Sequence, residues 1–408
     1  MNFIKRLLSV IMLLILVLPF VFVTSSGASE KEISVGKFYS YETKLLCVSH
    51  RGDTAKYPEN SLAAVKSALK KGADFVSVSL DKTSDGVFYL CERESLGNVC
   101  NAPCASLSEI SSAEVDSYKV FDVFGKETEY TLTSLETLLK NTDSQDGIIL
   151  DITSEDKDAV YDFLLKNGAL YRTIIRTDDP CSKLVKWAEG KPEKVYTIGV
   201  YSGNIIFNTI SSINLMTEAE MPAVQYQSKN YFNVSYGDFF LSRYLFTPKA
   251  RAVAATYSPD LCGQRGDSAD GWNELIKKGY SVIETDNIES FVAYRNEAER
   301  LEKSMAELLE KAFYVDPAKY SEVSLKNLET AKLNCSIDTN RMVVSSLDEL
   351  QNDYSQLLFA LEDMKISSGE VDTRGALNIT AGKVIAAVSV GCALLAGQIY
   401  VYKMRRKK

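Results

Sequence analysis

One histidine, two tryptophans and nine prolines are spread over 408 residues, and no stretch of the first 400 is dominated by lysine and arginine. A single imidazole, His50, excludes any mechanism that passes a proton between two histidines. A net charge of −8 without a concentrated basic surface excludes a protein that works as a whole on nucleic acid. The eight cysteines do not supply a zinc site, because no Cys-x2-Cys pair meets a second pair or a nearby histidine. Between Ala298 and Met364 there is no glycine and one proline, which leaves that stretch to helices.

What is present first says where the chain resides. Lys5 and Arg6 precede an apolar run from Leu7 to Val23, broken by Pro19, and the small polar run Thr24 to Ser29 follows. This reads as a secretory signal over residues 1–28, with an uncleaved signal anchor as the alternative. At the other end Val384 to Tyr402 is 19 residues without a charge, closed by the basic tail 403–408. That length crosses a bilayer as one transmembrane helix, with the tail on the cytoplasmic side. The expectation is a single-pass membrane protein whose residues 29–380 lie outside the cell, on a bacterial surface. A eukaryotic route stays open, and only there is Asn233 a glycan acceptor.

Cys47 and Cys91 lie in apolar, strand-like runs and Cys392 in the apolar C-terminal run, where a free thiol serves as a small hydrophobe. Cys100 and Cys104 are placed to bridge one loop and form the disulfide candidate.

Between residues 43 and 297 short apolar runs alternate with helical segments. Strands are expected at 45–49, 75–80, 87–91, 147–152, 173–176, 195–200, 223–225, 253–257 and 281–284. Helices are expected at 61–71, 134–140, 157–167, 181–190 and 271–278. Such alternation over this length predicts an α/β architecture, a (β/α)8 TIM-type barrel. The first strand, Leu45-Leu46-Cys47-Val48, delivers His50 and Arg51 to its end, where a barrel keeps its site.

His50-Arg51-Gly52, Pro58-Glu59-Asn60-Ser61-Leu62, Gly72-Ala73-Asp74, Thr83-Ser84-Asp85-Gly86, Thr131 to Glu136 and Gly279 to Asp286 occur in an order and spacing that resemble the glycerophosphodiester phosphodiesterase family, over about residues 43–297. The resemblance implies a barrel phosphoric diester hydrolase of lipid metabolism that releases glycerol phosphate, with Ca2+ or Mg2+ at its mouth. It also implies that His50 is a catalytic histidine and that Arg51 holds phosphate, for which a forked guanidinium is suited.

Residue by residue the pattern is degenerate. Ser77 and Ser79 stand where the resemblance implies a Glu-x-Asp metal pair, and Glu92 stands in for the second histidine. Asp151 stands for a further metal-binding Glu, Thr153 for a common Lys, and Ala255 for a usual Trp, with Tyr89 and Tyr257 as replacements of unknown role. Hard cations depend on several carboxylate oxygens, so replacing two of three carboxylates predicts that no cofactor is held. The alternative is a relocated cation on Asp81, Asp151 and Glu59, with Glu92 made acidic by burial. Otherwise Asp81 and Glu92 are solvated rim charges.

Residues 298–365 carry apolar positions at helical spacing in three segments broken near Asp316-Pro317 and Cys335–Asn340. They are more weakly similar to the FIVAR-type helical modules of bacterial surface proteins, or form a plain helical stalk. A linker, 366–383, precedes the transmembrane run. Three functions remain open. The preferred one is a pseudoenzyme that binds a phosphodiester or polyol phosphate, such as a lipid headgroup or envelope polymer. The others are an active, metal-dependent hydrolase with a rebuilt site, and a structural or adhesion protein.

Overall fold

The computed structural model describes residues 33–40, 43–93, 95–202, 214–227, 250–263, 265–338 and 344–364. The signal at 1–28, Asn233, the linker at 366–383, Cys392, the run at 384–402 and the tail at 403–408 lie outside them. Among the described residues no helix is long and apolar enough to cross a membrane.

Among the described residues nine strands form: β1 (Leu46–His50), β2 (Phe75–Lys82), β3 (Phe88–Leu90), β4 (Gly147–Asp151), β5 (Thr173–Thr177), β6 (Tyr196–Ser202), β7 (Ala223–Gln227), β8 (Arg251–Ala255) and β9 (Val282–Thr285). Eight run parallel in the order β1-β9-β8-β7-β6-β5-β4-β2, and the β1–β2 pairing closes the ring. The barrel expected from the alternation is therefore observed, and every expected strand falls within two residues of its observed bounds. The short β3 folds back antiparallel on the outer half of β2, with Leu80 opposite Leu90.

Between the strands run α1 (Leu62–Lys70), α2 (Leu135–Asn141), α3 (Lys157–Lys166), α4 (Cys181–Glu189) and α5 (Ala269–Lys277). Serine N-caps start three of them, with Ser61, Ser134 and Ser268 accepting from the backbone three residues on, which satisfies an otherwise orphan N–H.

The strand period of two divides the interior into layers. Leu46, Val48, Phe75, Ile149, Ile174, Ile198, Ala223, Val253 and Val282 fill the lower barrel in one apolar cluster. Two residues further along the strands come His50, Ser77, Asp151, Arg176, Gln225 and Glu284. An apolar floor thus carries a polar layer at the strands' C-terminal ends. Gly147 belongs to the floor: a Cβ there would lie 2.3 Å from the Phe75 ring, so the ring occupies that space.

The bottom is closed by a segment outside the expected barrel limits of 43–297. Val35 and Phe38 join the interior cluster, and the Phe38 ring meets Phe75 edge-on at 4.8 Å. Arg251, 1% exposed, fixes this plug by donating to the carbonyls of Lys37, Phe38, Ser40, Thr43 and Lys44 at 2.6–3.2 Å.

The last barrel helix, α6 (Ile288–Phe313), continues without a break into the region expected to begin at 298. With α7 (Glu322–Asp338) and α8 (Leu347–Glu362) it makes the three expected helices. Met305, Leu308, Leu328, Leu350, Leu357 and Leu361 join the outer core of the barrel rather than a separate one. The Tyr294 hydroxyl accepts from the Leu347 amide at 2.8 Å, and Lys277 pairs with Asp348 at 2.5 Å. Helical packing against the barrel, rather than a free stalk, is what these contacts describe.

Arg251→Met keeps the bulk but removes the donors to five carbonyls, and we expect it to cost about 3 kcal/mol or more in urea unfolding. A loss below about 1 kcal/mol would show that the plug is held by its apolar side chains instead.

Candidate functional site

The His50-Arg51-Gly52 turn leaves β1 with unusual backbone. Arg51 has φ 56° and Gly52 φ 90°. A Cβ at Gly52 would lie 2.6 Å from the Ala64 backbone, so only glycine lets α1 pack this closely. Asn60, itself at φ 55°, holds the turn by donating its amide to the Arg51 carbonyl at 3.0 Å and accepting from the Ser79 amide at 3.1 Å. The Pro-Glu-Asn-Ser motif is thereby explained: Asn60 ties β1 to β2, and Ser61 caps α1. Asp53 is buried and accepts from Ser67 Oγ and Lys71 Nζ at 2.6 and 2.7 Å, which anchors the turn to α1. Left-handed arginine and asparagine are uncommon, and such strain clusters at ligand sites.

His50 lies flat on Tyr257, with ring centroids 3.5 Å apart and planes 3° apart. Its Nδ1 is 3.0 Å from Asp286 Oδ1; the carboxylate can only accept, so Nδ1–H donates and Nε2 is left to other partners. Asp286 is placed in turn by Asp267, which accepts from the Asp286 amide and from the Thr256 and Thr285 hydroxyls. Burial raises the Asp267 carboxyl above the usual carboxylate range, against those hydrogen bonds.

Arg51 is held between two carboxylates, with Nη1 2.9 Å from Glu59 and Nη2 2.9 Å from Glu92. Its Nε is buried and has no hydrogen-bond partner among the described residues. Glu92 is 51% exposed rather than buried. It is a rim carboxylate spent on Arg51.

Deeper in the polar layer, Arg176 is the central group. Nε and Nη2 bond Asp151 at 2.5 and 2.8 Å, Nη1 and Nη2 bond Glu284 at 2.6 and 2.8 Å, and Nη1 reaches Gln225 Oε1 at 2.5 Å. All five guanidinium protons are engaged. Ser77 Oγ adds a donor to Glu284 at 2.6 Å. Burial opposes the charge on Arg176, but the two carboxylates outweigh it and hold the group firmly protonated. Burial likewise opposes charge on Glu284, and Arg176 wins again, keeping it below the usual carboxylate range.

The carboxylates proposed for a relocated cation are not brought into one group. Asp151 is on Arg176, Glu59 is on Arg51, and Asp81 takes its own neighbour's amide, Lys82 N, at 2.9 Å. Asp81 is buried rather than solvated, and burial raises its carboxyl. Among the described residues no three His, Cys, Asp or Glu side chains gather where they could hold a metal. The residues of the polar layer do not fit a divalent ion: Ser77 and Ser79 are neutral, and the guanidinium stands against Asp151. At an effective dielectric near 20, an ion of charge two about 4 Å from it would be repelled by about 8 kcal/mol.

Two further residues answer to expectations. Cys100 and Cys104 are free thiols, not a bridge. Cys100 is buried in the satellite core with Tyr89, Cys91 and Leu107, while Cys104 Sγ donates toward the Ser106 carbonyl at 3.7 Å. Tyr89 belongs to that same satellite core, whereas Tyr257 is at the site.

Arg176, Gln225, Glu284, Asp286 and Asp267 were not expected as site residues. A signal existed for three of them, since Arg176, Gln225 and Glu284 interrupt apolar strands at inward positions of period two. Asp286 closes the Gly279 to Asp286 motif that carries the resemblance, whereas Asp267 lies in a loop and gave none.

Residues 50–197 match the model of the Glycerophosphoryl diester phosphodiesterase family. A glycerophosphodiester phosphodiesterase of Caldanaerobacter subterraneus subsp. tengcongensis is 36% identical over 58 residues, which are 14% of this chain and 24% of that protein. The chain therefore matches about a quarter of that relative's length. The crystal structure of a glycerophosphoryl diester phosphodiesterase from Parabacteroides distasonis superposes with a TM-score of 0.54 at 17% identity, covering 64% of this chain and 90% of the other. One from Agrobacterium tumefaciens gives a TM-score of 0.48 at 17% identity over 61% and 99%. At such identity the likeness is one of fold.

Glu284→Gln should cost about 3–5 kcal/mol in urea unfolding, because it leaves a buried guanidinium short of one counter-charge. Glu92→Gln, at the exposed rim, should cost less than about 1 kcal/mol. Equal losses would contradict the assignment of these two pairs to core and rim.

Proposed function

With residues 50–197 a domain of the glycerophosphoryl diester phosphodiesterase family, we propose that this barrel binds a phosphodiester or polyol phosphate at the cell surface without hydrolysing it. The observation that carries the reading is Glu92 clasped to Arg51 at 2.9 Å, in the place where the resemblance implies a second histidine. With its carboxylate engaged by Arg51, Glu92 is not placed to serve a leaving alkoxide. The neutral Ser77 and Ser79 add the loss of two metal carboxylates.

Binding is supported by what has been kept. The strained His50-Arg51-Gly52 turn, its Asn60 tie and the His50–Tyr257 stack are costly to hold in place and face the strands' C-terminal ends. A ligand phosphate and the Glu92 carboxylate are alike to a guanidinium, since both accept two parallel N–H bonds. Glu92 is half exposed and belongs to the loop after β3, so a phosphate takes its place on Arg51 by exchange of one anion for another. Surface location rests on the secretory signal at 1–28 and the 19-residue uncharged run at 384–402. The ligand is then a lipid headgroup or an envelope polymer bearing glycerol phosphate.

One observation favours the active alternative. His50 is backed by Asp286 in the manner of an oriented general base, and this pair needs no second histidine. Assay of glycerol phosphate release from glycerophosphocholine, with and without added Ca2+ or Mg2+, separates the two. No release above the His50→Ala background is expected, and His50-dependent turnover would overturn the binding-only reading.

Titration with glycerol 3-phosphate, followed by thermal shift, tests the exchange at Arg51. Glu92→Gln removes the internal competitor and should tighten binding by about tenfold, whereas Arg51→Ala should abolish it. Affinity unchanged in both variants would place the ligand elsewhere or nowhere, and would favour the architectural role.

A further inference from the structure

Asp151 of β4 and Glu284 of β9 enter the barrel interior from different parts of the ring, and one positive group lies between them. That group is the side chain of Arg176 on β5, whose Cα is in register with Asp151 on the neighbouring strand. We propose that Arg176 is the barrel's resident cation: it takes the place beside Asp151 that a divalent ion would need, leaving the site independent of Ca2+ and Mg2+ and closed to them.

The observations converge on this from the side of the donor set. Glu284 is fully buried and Arg176 is 5% exposed, so neither can exchange its partner for water without opening the barrel. A buried carboxylate needs a counter-charge, and the guanidinium supplies it to both acids at once through four charge-assisted bonds. The fifth N–H goes to Gln225 and the Ser77 hydroxyl donates to Glu284, so the neighbours of the guanidinium are themselves tied into the cluster. Ser77 and Ser79 are neutral, which leaves Asp151 as the one acid among the three positions that the resemblance implies for metal. An ion would have to displace a cation that is covalently part of the strand.

Saturation also defines what Arg176 does not do. With every N–H engaged it offers no donor to a ligand, so it is a positioning residue that holds Asp151 and Glu284 in place in the layer of His50. The inference does not rest on the ligand reading. A barrel that only binds, one that turns over without metal, and one that does neither would each carry the same internal cation.

The test uses the full chain in detergent, titrated with Mn2+ by electron paramagnetic resonance and melted in EDTA or in millimolar Ca2+, Mg2+ or Mn2+. The wild type should show no saturable Mn2+ binding and the same Tm in every buffer. Arg176→Gln should melt lower in EDTA, recover part of the loss in a divalent cation, and bind Mn2+ stoichiometrically through the vacated carboxylates. If that variant does not fold, Arg176→Lys keeps the charge but not the fork; its Tm should fall and divalent cations should not restore it. Saturable Mn2+ binding by the wild type that Asp151→Asn abolishes would overturn the proposal. So would a folded Arg176→Gln protein that ignores cations, or rescue of Arg176→Lys by them.

Discussion

The upper barrel depends on one buried guanidinium. Arg176 joins strands β4, β5, β7 and β9 through Asp151, Gln225 and Glu284, with Ser77 bringing in β2. A pair of carboxylates inside a protein is costly unless compensated, because desolvation penalises each and their charges repel. Here compensation is complete in hydrogen bonds, since five donors meet five accepting contacts. Net charge is not fully compensated: two acids share one cation, and the exposed edge of Asp151 is where solvent takes up the difference. The result is a fixed polar plate above an apolar floor.

That plate supports the rim. His50 ends β1 in that same layer and Arg51 follows it, on a turn kept in left-handed conformation by Gly52, Asn60 and the close packing of α1. The two cationic centres are used differently. Arg176 is closed in on all sides and acts on its neighbours, whereas Arg51 is held by two carboxylates, of which Glu92 is half exposed and, on the proposed reading, the one an anion replaces. His50 is clamped by Tyr257 on its face and Asp286 at Nδ1, so its remaining nitrogen has a fixed direction. On the proposed reading, structure and recognition are assigned to separate arginines.

The strands and helices of the barrel were legible because their signals are local: apolar runs of five or so residues, serine caps and the alternation of the two. The motifs around Gly52, Asn60 and Asp53 were legible as a pattern, although their work is to shape a turn. Asp74 shows the same thing: it accepts from the Cys47 amide at 2.9 Å and pairs with Lys37 and Arg295, so it braces the base of β1 away from the site. The Arg176 cluster was not read, because its acids lie 25 and 108 residues from Arg176 and only barrel closure brings them together. The floor plug was missed for the same reason, Arg251 lying more than 200 residues from the carbonyls it holds. Charge at one strand end differs from expectation: Asp81, expected as a rim charge or a ligand, is buried where β2 pairs with β3.

On the proposal made for Arg176, a side chain holds the position of a cation. A crystal structure determined from crystals grown in millimolar MnCl2, with an anomalous difference map at the manganese edge, tests it most directly. The account predicts guanidinium density bonded to Asp151 and Glu284 and no anomalous peak between them. A manganese peak on Asp151, with Arg176 turned away, would contradict it.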